Sequence, residues 1–389
     1  MITKRHGFLV LRNLLIDILI AAVLVVAFGL YRDSLEVELE SKGIEIPNPY
    51  GKQAEKTEAS ENAASDAQKT VFPAGSSSPS KAPPTEGSGA KTRPGSRRSK
   101  AGEVYDNVAG AVESAFASKG GSAIDSESPA ETNLSPLSVK FSDKYTDEVS
   151  VTENSYTSPN ISVTVNEMTS SDGSIIYYVA DIYVRDVTCI QTALASDTYG
   201  FGFKDSILDM AVLKNALLAV NGDYYGNSAE GVVIRNGVIY RTEETDCDVC
   251  VLYYDGSMRI IPGGSFSVEE AVNDGAWQAW TFGPALLDSQ GNTIKSFSSS
   301  RRLISANPRT AIGYYEPGHY CLVVVDGRGE SAGISLPELS QLFCDLGCKA
   351  AYNLDGGNSS VMVWQGEVFN DPSFGGRQSS DAILIAEVN

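Results

Sequence analysis

Four pairs of apolar runs, each split by a short glycine-containing turn, set the strongest limit on how this chain can fold. Gly231–Arg235 and Val238–Arg241 flank Asn236-Gly237, and Val251–Tyr254 and Met258–Ile261 flank Asp255-Gly256. Thr310–Tyr315 and Tyr320–Val325 flank Pro317-Gly318, and Val361–Trp364 and Glu367–Phe369 flank Gln365-Gly366. Asn-Gly and Asp-Gly suit tight hairpins because both central residues must take positive φ. The flanking runs are rich in Val, Ile and Tyr, which pack well on a pleated surface. Two helical patterns interrupt them. One spans about Asp205–Leu217, with Ile207, Met210, Ala211 and Lys214 on helical periods. The other opens with a capping Ser335, Pro337 in the first turn and Glu338, buries Leu339, Leu342, Phe343 and Leu346, and ends at Gly347. The expected class is α+β: a β-rich mixed sheet with several hairpins and a few helices.

This folded part covers residues 151–389, long enough for a substantial core. What precedes it differs in kind. Leu14–Leu30 is apolar except for Asp17; with Phe8–Leu11 before it, the stretch reaches about 20 residues, enough to cross a bilayer core. Lys4, Arg5 and Arg12 lie before it and Asp33, Glu36, Glu38 and Glu40 after it. The positive-inside rule then makes residues 1–32 a cytoplasmic N-terminus with an uncleaved signal anchor. The chain is expected in the cell membrane, single-pass, with the larger part outside the cytoplasm. Residues 33–150 read as a mostly disordered, low-complexity tether, dominated by Ser, Pro, Gly, Ala and Lys between Pro73 and Arg98.

Charge follows the same division. The whole chain carries a formal net charge of −19, whereas the basic residues Lys91, Arg93, Arg97, Arg98 and Lys100 gather in the tether. So acidic a chain is not expected to bind nucleic acid, because two polyanions repel. Only two histidines are present, His6 and His319, which excludes a multi-histidine zinc site. Any chemistry must rest mainly on Asp, Glu, Arg, Asn or Tyr. Six cysteines, among them Cys247-x-x-Cys250 and Cys344-x3-Cys348, leave disulfides, structural zinc and buried thiols open.

Four polar clusters sit at ends of apolar strands: Asn221-Gly222-Asp223, Asn307-Pro308-Arg309-Thr310, Asp326-Gly327-Arg328-Gly329, and Asn353-Leu354-Asp355-Gly356-Gly357-Asn358-Ser359-Ser360. Each alone is ordinary turn chemistry. Together they put acids beside glycines, where backbone and ligand approach closely, and bring in two of the few arginines. Arg309 and Arg328 can clamp a phosphate through two parallel N–H donors. Arg377 and Asp381 form a weaker fifth cluster near the last strand.

The ordered series NGDYYG, NPRTAIGY, LVVVDGRG, a Ser-Leu-Pro-Glu-Leu helix and AAYNLDGGNSSVMV resembles the phosphodiester glycosidase family, over about Asn160–Val388. One departure is Asn358, where the family usually carries a third Gly; Asn tolerates the left-handed conformation. The resemblance implies a phosphodiester-glycosidase-like fold and a glycosidase acting on sugar-1-phosphodiesters, with a surface glycopolymer or glycoconjugate as its partner. Such a reaction needs a base or nucleophile on the sugar side and positive charge on the phosphate. Asp223, Asp326 and Asp355 are the candidates for base, nucleophile or sugar-positioning group. Arg309 and Arg328 are the candidates for the phosphate clamp. Asn221, Asn307, Gly327, Gly356, Gly357, Asn358, Ser359 and Ser360 would bind substrate, and Arg377 would close the site. No cofactor is expected, although the three aspartates offer oxygen ligands suited to calcium or magnesium. Two rival readings are a non-catalytic module that binds anionic glycopolymer, and an enzyme that breaks the phosphorus–oxygen bond instead.

Overall fold

The computed structural model describes residues 43–50, 137 and 139–388. The expected membrane helix and the central part of the expected tether lie outside the described residues. Among the described residues no helix is long and apolar enough to cross a membrane.

The strands divide among three sheets, and every pairing is antiparallel. This differs from the single mixed sheet expected. Short hairpins can join only antiparallel neighbours, and a parallel pair would need a crossover of a dozen or more residues. All four hairpins form at the turns read from the sequence. The seven-stranded sheet runs, edge to edge, through Ala350–Asn353, Arg309–Glu316, His319–Val325, Ile176–Val184, Ile161–Thr169, Ser155–Thr157 and Ser150–Val151. The five-stranded sheet orders Glu367–Val368, Met362–Trp364, Leu218–Asn221, Asp381–Ile385 and Ile190–Leu194. The six-stranded sheet orders Ile44–Glu45, Val238–Glu243, Gly231–Arg235, Ala276–Thr281, Val249–Tyr253 and Met258–Ile261.

Side-chain alternation sorts each strand between two layers. Leu322 and Val324 join a central core shared with Ile234, Val251, Trp280, Val220 and Ile383, where the three sheets meet. Their neighbours Cys321, Val323 and Val325 point the other way, onto Leu336, Leu339 and Phe343 of the helix Leu336–Asp345. That helix carries the full reciprocal cap between Ser335 and Glu338. The helix Ile207–Leu213 is shorter than expected and packs Ile207, Met210 and Ala211 on the outer face of the five-stranded sheet. Burying Ile207 and Met210 contributes about 1.5–3 kcal/mol each. Two short helices, Val268–Asn273 and Arg301–Ile304, had no periodic signal long enough to read.

Two stretches inside the expected tether pack on this body. Ile44 and Glu45 pair with Ile239 and Val238, and Ile46 is buried. Leu137 is also buried, in the central core. Cys321 and Cys348 bring their Sγ atoms to 3.7 Å in the layer beneath the helix Leu336–Asp345, and Gly313 leaves room for both.

Candidate active site

The strand Ala350–Asn353 ends at the edge of the seven-stranded sheet, and the chain then crosses to Met362–Trp364 in the five-stranded sheet. The crossing loop is held by backbone bonds from both sides. Leu354 N–H donates to Thr310 C=O at 2.8 Å, Gly357 N–H to Pro308 C=O at 2.9 Å, and Asp355 N–H to Gly222 C=O at 3.3 Å. Asn221 is fully buried beneath the loop. Its amide donates to Asp355 C=O at 2.7 Å, and its Oδ1 accepts from the Thr310 hydroxyl at 2.7 Å. Gly356 must lack a side chain, because a Cβ there would stand 2.8 Å from Pro308 O. Gly357 takes a φ of +68° and presents its face to the Arg328 guanidinium.

The loop walls one side of a cavity of about 440 Å³. Its lining gathers Asn307, Arg309, Arg328, Asp355, Gly356, Gly357, Asn358 and Arg377, all read from the sequence, together with Phe282, Ser300, Arg302 and Leu303, which were not. The lining therefore includes four arginines and a single aspartate, in a chain whose net charge is −19. Arg302 follows Arg301 in a Ser-rich stretch, and two adjacent arginines in so acidic a chain were the one available signal.

Each arginine is held differently. Arg309 is 2% exposed and donates to the carbonyls of Leu303, Ser305 and Ile334 rather than to a carboxylate. Burial, with Arg328 nearby, pushes its guanidinium down to about 10. Arg328 has a φ of +66° and spans the cavity wall, donating to Asn358 Oδ1 at 2.7 Å and Asn307 Oδ1 at 2.9 Å. Arg377 pairs with Asp355 Oδ2 at 2.6 Å, donates to Ser359 Oγ at 2.9 Å, and lies over the Tyr224 ring. The Asp355 carboxyl is raised above its ordinary range by burial, against the pull of Ser359 and Arg377. It is the single carboxylate in the lining.

Four further candidates support the wall without lining it. Asn221 holds the loop from below, Ser359 and Ser360 are buried, and Gly327 C=O accepts from Ser373 Oγ at 2.6 Å. The two other aspartates stand outside the cavity. Asp326 is buried where it accepts from Asn370 Nδ2 at 2.7 Å and Asp371 N–H at 3.0 Å, so it ties down the segment leading to Arg377. Asp223 is buried in an ionic cluster: Arg235 Nη2 lies 2.7 Å from Asp223 Oδ1 and 2.9 Å from Asp381 Oδ2. Asp223 also accepts from Tyr225 N–H and Thr281 N–H. Asp381 belongs to this buried cluster rather than to the cavity. Arg235 ends an apolar strand beside a turn, so its sequence read as a hairpin flank. The three aspartates thus do not converge, and among the described residues no group of three or more His, Cys, Asp or Glu is placed to hold a metal ion.

Parts of this chain are similar to known proteins. SPbeta prophage-derived uncharacterized protein YomE of Bacillus subtilis is 29% identical over 187 residues, 46% of this chain and 29% of that protein. The human N-acetylglucosamine-1-phosphodiester alpha-N-acetylglucosaminidase is 40% identical over 78 residues, 20% of this chain and 15% of that protein. The chain thus matches less than a third of the length of these curated relatives. The zebrafish catalytic domain of the latter enzyme, auto-inhibited by its pro-peptide, overlays with a TM-score of 0.49 at 19% identity, covering 62% of this chain and 88% of that one. The model of the phosphodiester glycosidase family matches residues 214–386, the segment that supplies every lining residue of the cavity. Residues 214–386 of this chain are thus similar to the phosphodiester glycosidase family.

Proposed function

We propose that this protein is a membrane-anchored, extracytoplasmic hydrolase that cleaves glycosyl phosphodiester linkages in a surface glycopolymer or glycoconjugate. One observation carries the reading: a cavity lined by four arginines and a single carboxylate, in a chain of net charge −19. That lining suits a ligand with a phosphate at its centre. The human relative's name describes an enzyme of N-acetylglucosamine-1-phosphodiesters, which supports the same class of substrate here.

The residues divide the work as follows. Arg328, fixed by Asn307 and Asn358, presents preformed donors to the phosphate, and Arg309, whose Nε and Nη2 are committed to three carbonyls, has Nη1 left to offer. Arg302 adds a third guanidinium at the same wall. Asp355 takes a proton from the water that attacks the anomeric carbon. Burial raises its basicity, and Arg377 fixes its orientation. The bond from the anomeric carbon to the phosphate oxygen breaks, and its electron pair stays on the phosphate. A phosphate monoester, with a second pKa of about 6, leaves as an anion without an acid's help. Ordinary glycosidases need two carboxylates because a sugar alkoxide leaves poorly. One carboxylate suffices when the leaving group is a phosphate.

The test uses a synthetic sugar-1-phosphodiester in heavy-oxygen water, read by mass spectrometry. The expected products are free sugar and a phosphate monoester free of label. Asp355→Asn should slow turnover by about 10²–10⁴-fold with an unchanged circular dichroism spectrum. Label in the phosphate would mean cleavage at phosphorus. Saturable, salt-sensitive binding without product would make the domain a binding module.

A further inference from the structure

Gly313 stands in the middle of the strand Arg309–Glu316, where a residue without a side chain weakens a sheet and calls for a local reason. It pairs with Cys321 on one neighbouring strand and with Ala351 on the other. A Cβ there would stand 2.6 Å from Cys321 Sγ and 2.8 Å from Cys348 Sγ. The missing side chain is therefore the space in which the two sulfurs meet, 3.7 Å apart. Phe343 of the helix Leu336–Asp345 closes that space from the helix side. Among the described residues no other two cysteines are in such contact.

The pair fits few roles. Cys321 is fully buried and Cys348 is 4% exposed, and neither lines the cavity, so neither thiol meets a substrate. The hydrogen bond with Cys348, together with burial, holds the Cys321 thiol well above its ordinary range, the reverse of an activated nucleophile. Among the described residues no third His, Cys, Asp or Glu joins the two as a metal ligand. A covalent bond between the sulfurs fits the geometry. It is reached by closing 3.7 Å to about 2.0 Å, a side-chain movement that no Cβ at position 313 obstructs.

The position gives such a bond a use. The strand His319–Val325 runs from Cys321 towards Asp326-Gly327-Arg328, and Ala350–Asn353 runs from just after Cys348 towards Asp355 and Asn358. These two strands lie on either side of Arg309–Glu316 and share no ladder with each other. We propose that Cys321 and Cys348 are a disulfide site, oxidised outside the cytoplasm, that ties together across Gly313 the roots of the two strands leading to Arg328 and Asp355. The oxidant is a protein or small-molecule disulfide. One cysteine thiolate attacks a sulfur of that disulfide and expels one thiol, and the second cysteine then displaces the other. Two electrons pass to the reagent, the two cysteines lose their protons, and two reduced thiols are released.

The test holds the full chain, purified under reductant, with oxidised glutathione in urea just below its unfolding midpoint, where the buried layer opens transiently. The urea is then removed. Reactive thiols are counted by alkylation in denaturant, and the digested peptides are read by mass spectrometry. Two of the six cysteines should become unreactive, with the Cys321 peptide joined to the Cys348 peptide. The bond closes a loop between residues 27 apart in sequence. The melting temperature should therefore rise by about 4–16 °C over the reduced chain and return on reduction. Cys348→Ala should show neither the cross-link nor the rise, whereas Cys344→Ser should show both. Six reactive thiols, a cross-link between any other pair, or a Cys321–Cys348 bond that leaves the melting temperature unchanged or lower overturns the proposal. None of these readouts depends on turnover, so the disulfide site and the hydrolase reading fail separately.

Discussion

Replacing Arg235 by Met tests whether Asp223 is structural. The guanidinium is 1% exposed and touches two carboxylates, Asp223 at 2.7 Å and Asp381 at 2.9 Å, whose side chains are 1% and 0% exposed. It also donates to the carbonyls of Ile234 and Ala279. Methionine fills much of the volume but leaves both carboxylates without a cation. Removing one partner of a buried ion pair costs about 3–5 kcal/mol. A fold of this size loses roughly 2–4 °C per kcal/mol, so the melting temperature should fall by about 6–20 °C. The remaining carboxylates can escape only by taking up protons, so the deficit should be larger at pH 8 than at pH 5.5. Scanning calorimetry of the full chain at both pH values measures this. A fall of less than about 3 °C, or equal falls at the two pH values, would refute the argument that the cluster is a buried ionic support.

The same cluster sets a pH dependence in the native protein. Burial and the neighbouring Asp223 raise the Asp381 carboxyl far above its ordinary 3.8, against the pull of Arg235. In that window the folded state holds a proton that the unfolded state releases, so stability should fall as pH rises from 5.5 to 8. Asp381→Asn should flatten that slope, and a slope unchanged in the variant would assign it to other groups. At the cavity, the Arg302 guanidinium makes none of the bonds that hold Arg309, Arg328 and Arg377 among the described residues. Arg302→Ala should raise KM for a sugar-1-phosphodiester by about tenfold with kcat unchanged. The difference should shrink in high salt, and a kcat loss instead would give Arg302 a role in the chemical step.

Legibility in the sequence tracked how local each feature is. Hairpins at Asn236-Gly237 and Asp255-Gly256 are encoded by the residues that make the turn, and all four formed. The capped helix at Ser335 was equally local. The division of the strands into three sheets depends on pairings between distant strands, which no turn residue encodes. At the cavity, Arg328, Asp355 and Arg377 were legible as charges beside glycine, and Arg309 as an arginine opening an apolar strand. Asp223 carried the same local pattern, yet Arg235, twelve residues on, claims its carboxylate inside the core. A side chain's direction after a strand end is set by its tertiary partners. Arg302 sits in a helix of four residues, too short for any period to show.

The short pairing of Ile44 with Ile239 has a mechanical consequence. Were the proposed membrane anchor to span Leu14–Leu30, only the stretch from Leu30 to Ile44 would separate it from the paired strand. At about 3.3–3.6 Å per residue it reaches at most about 50 Å. Residues 51–136 then add nothing to that reach, because both their ends are fastened to the same body. The domain would patrol a thin shell next to the bilayer, and polymer beyond it would have to come to the enzyme. Any pull along the leash would bear first on the two-residue strand Ile44–Glu45, at an edge remote in sequence from the residues of the cavity.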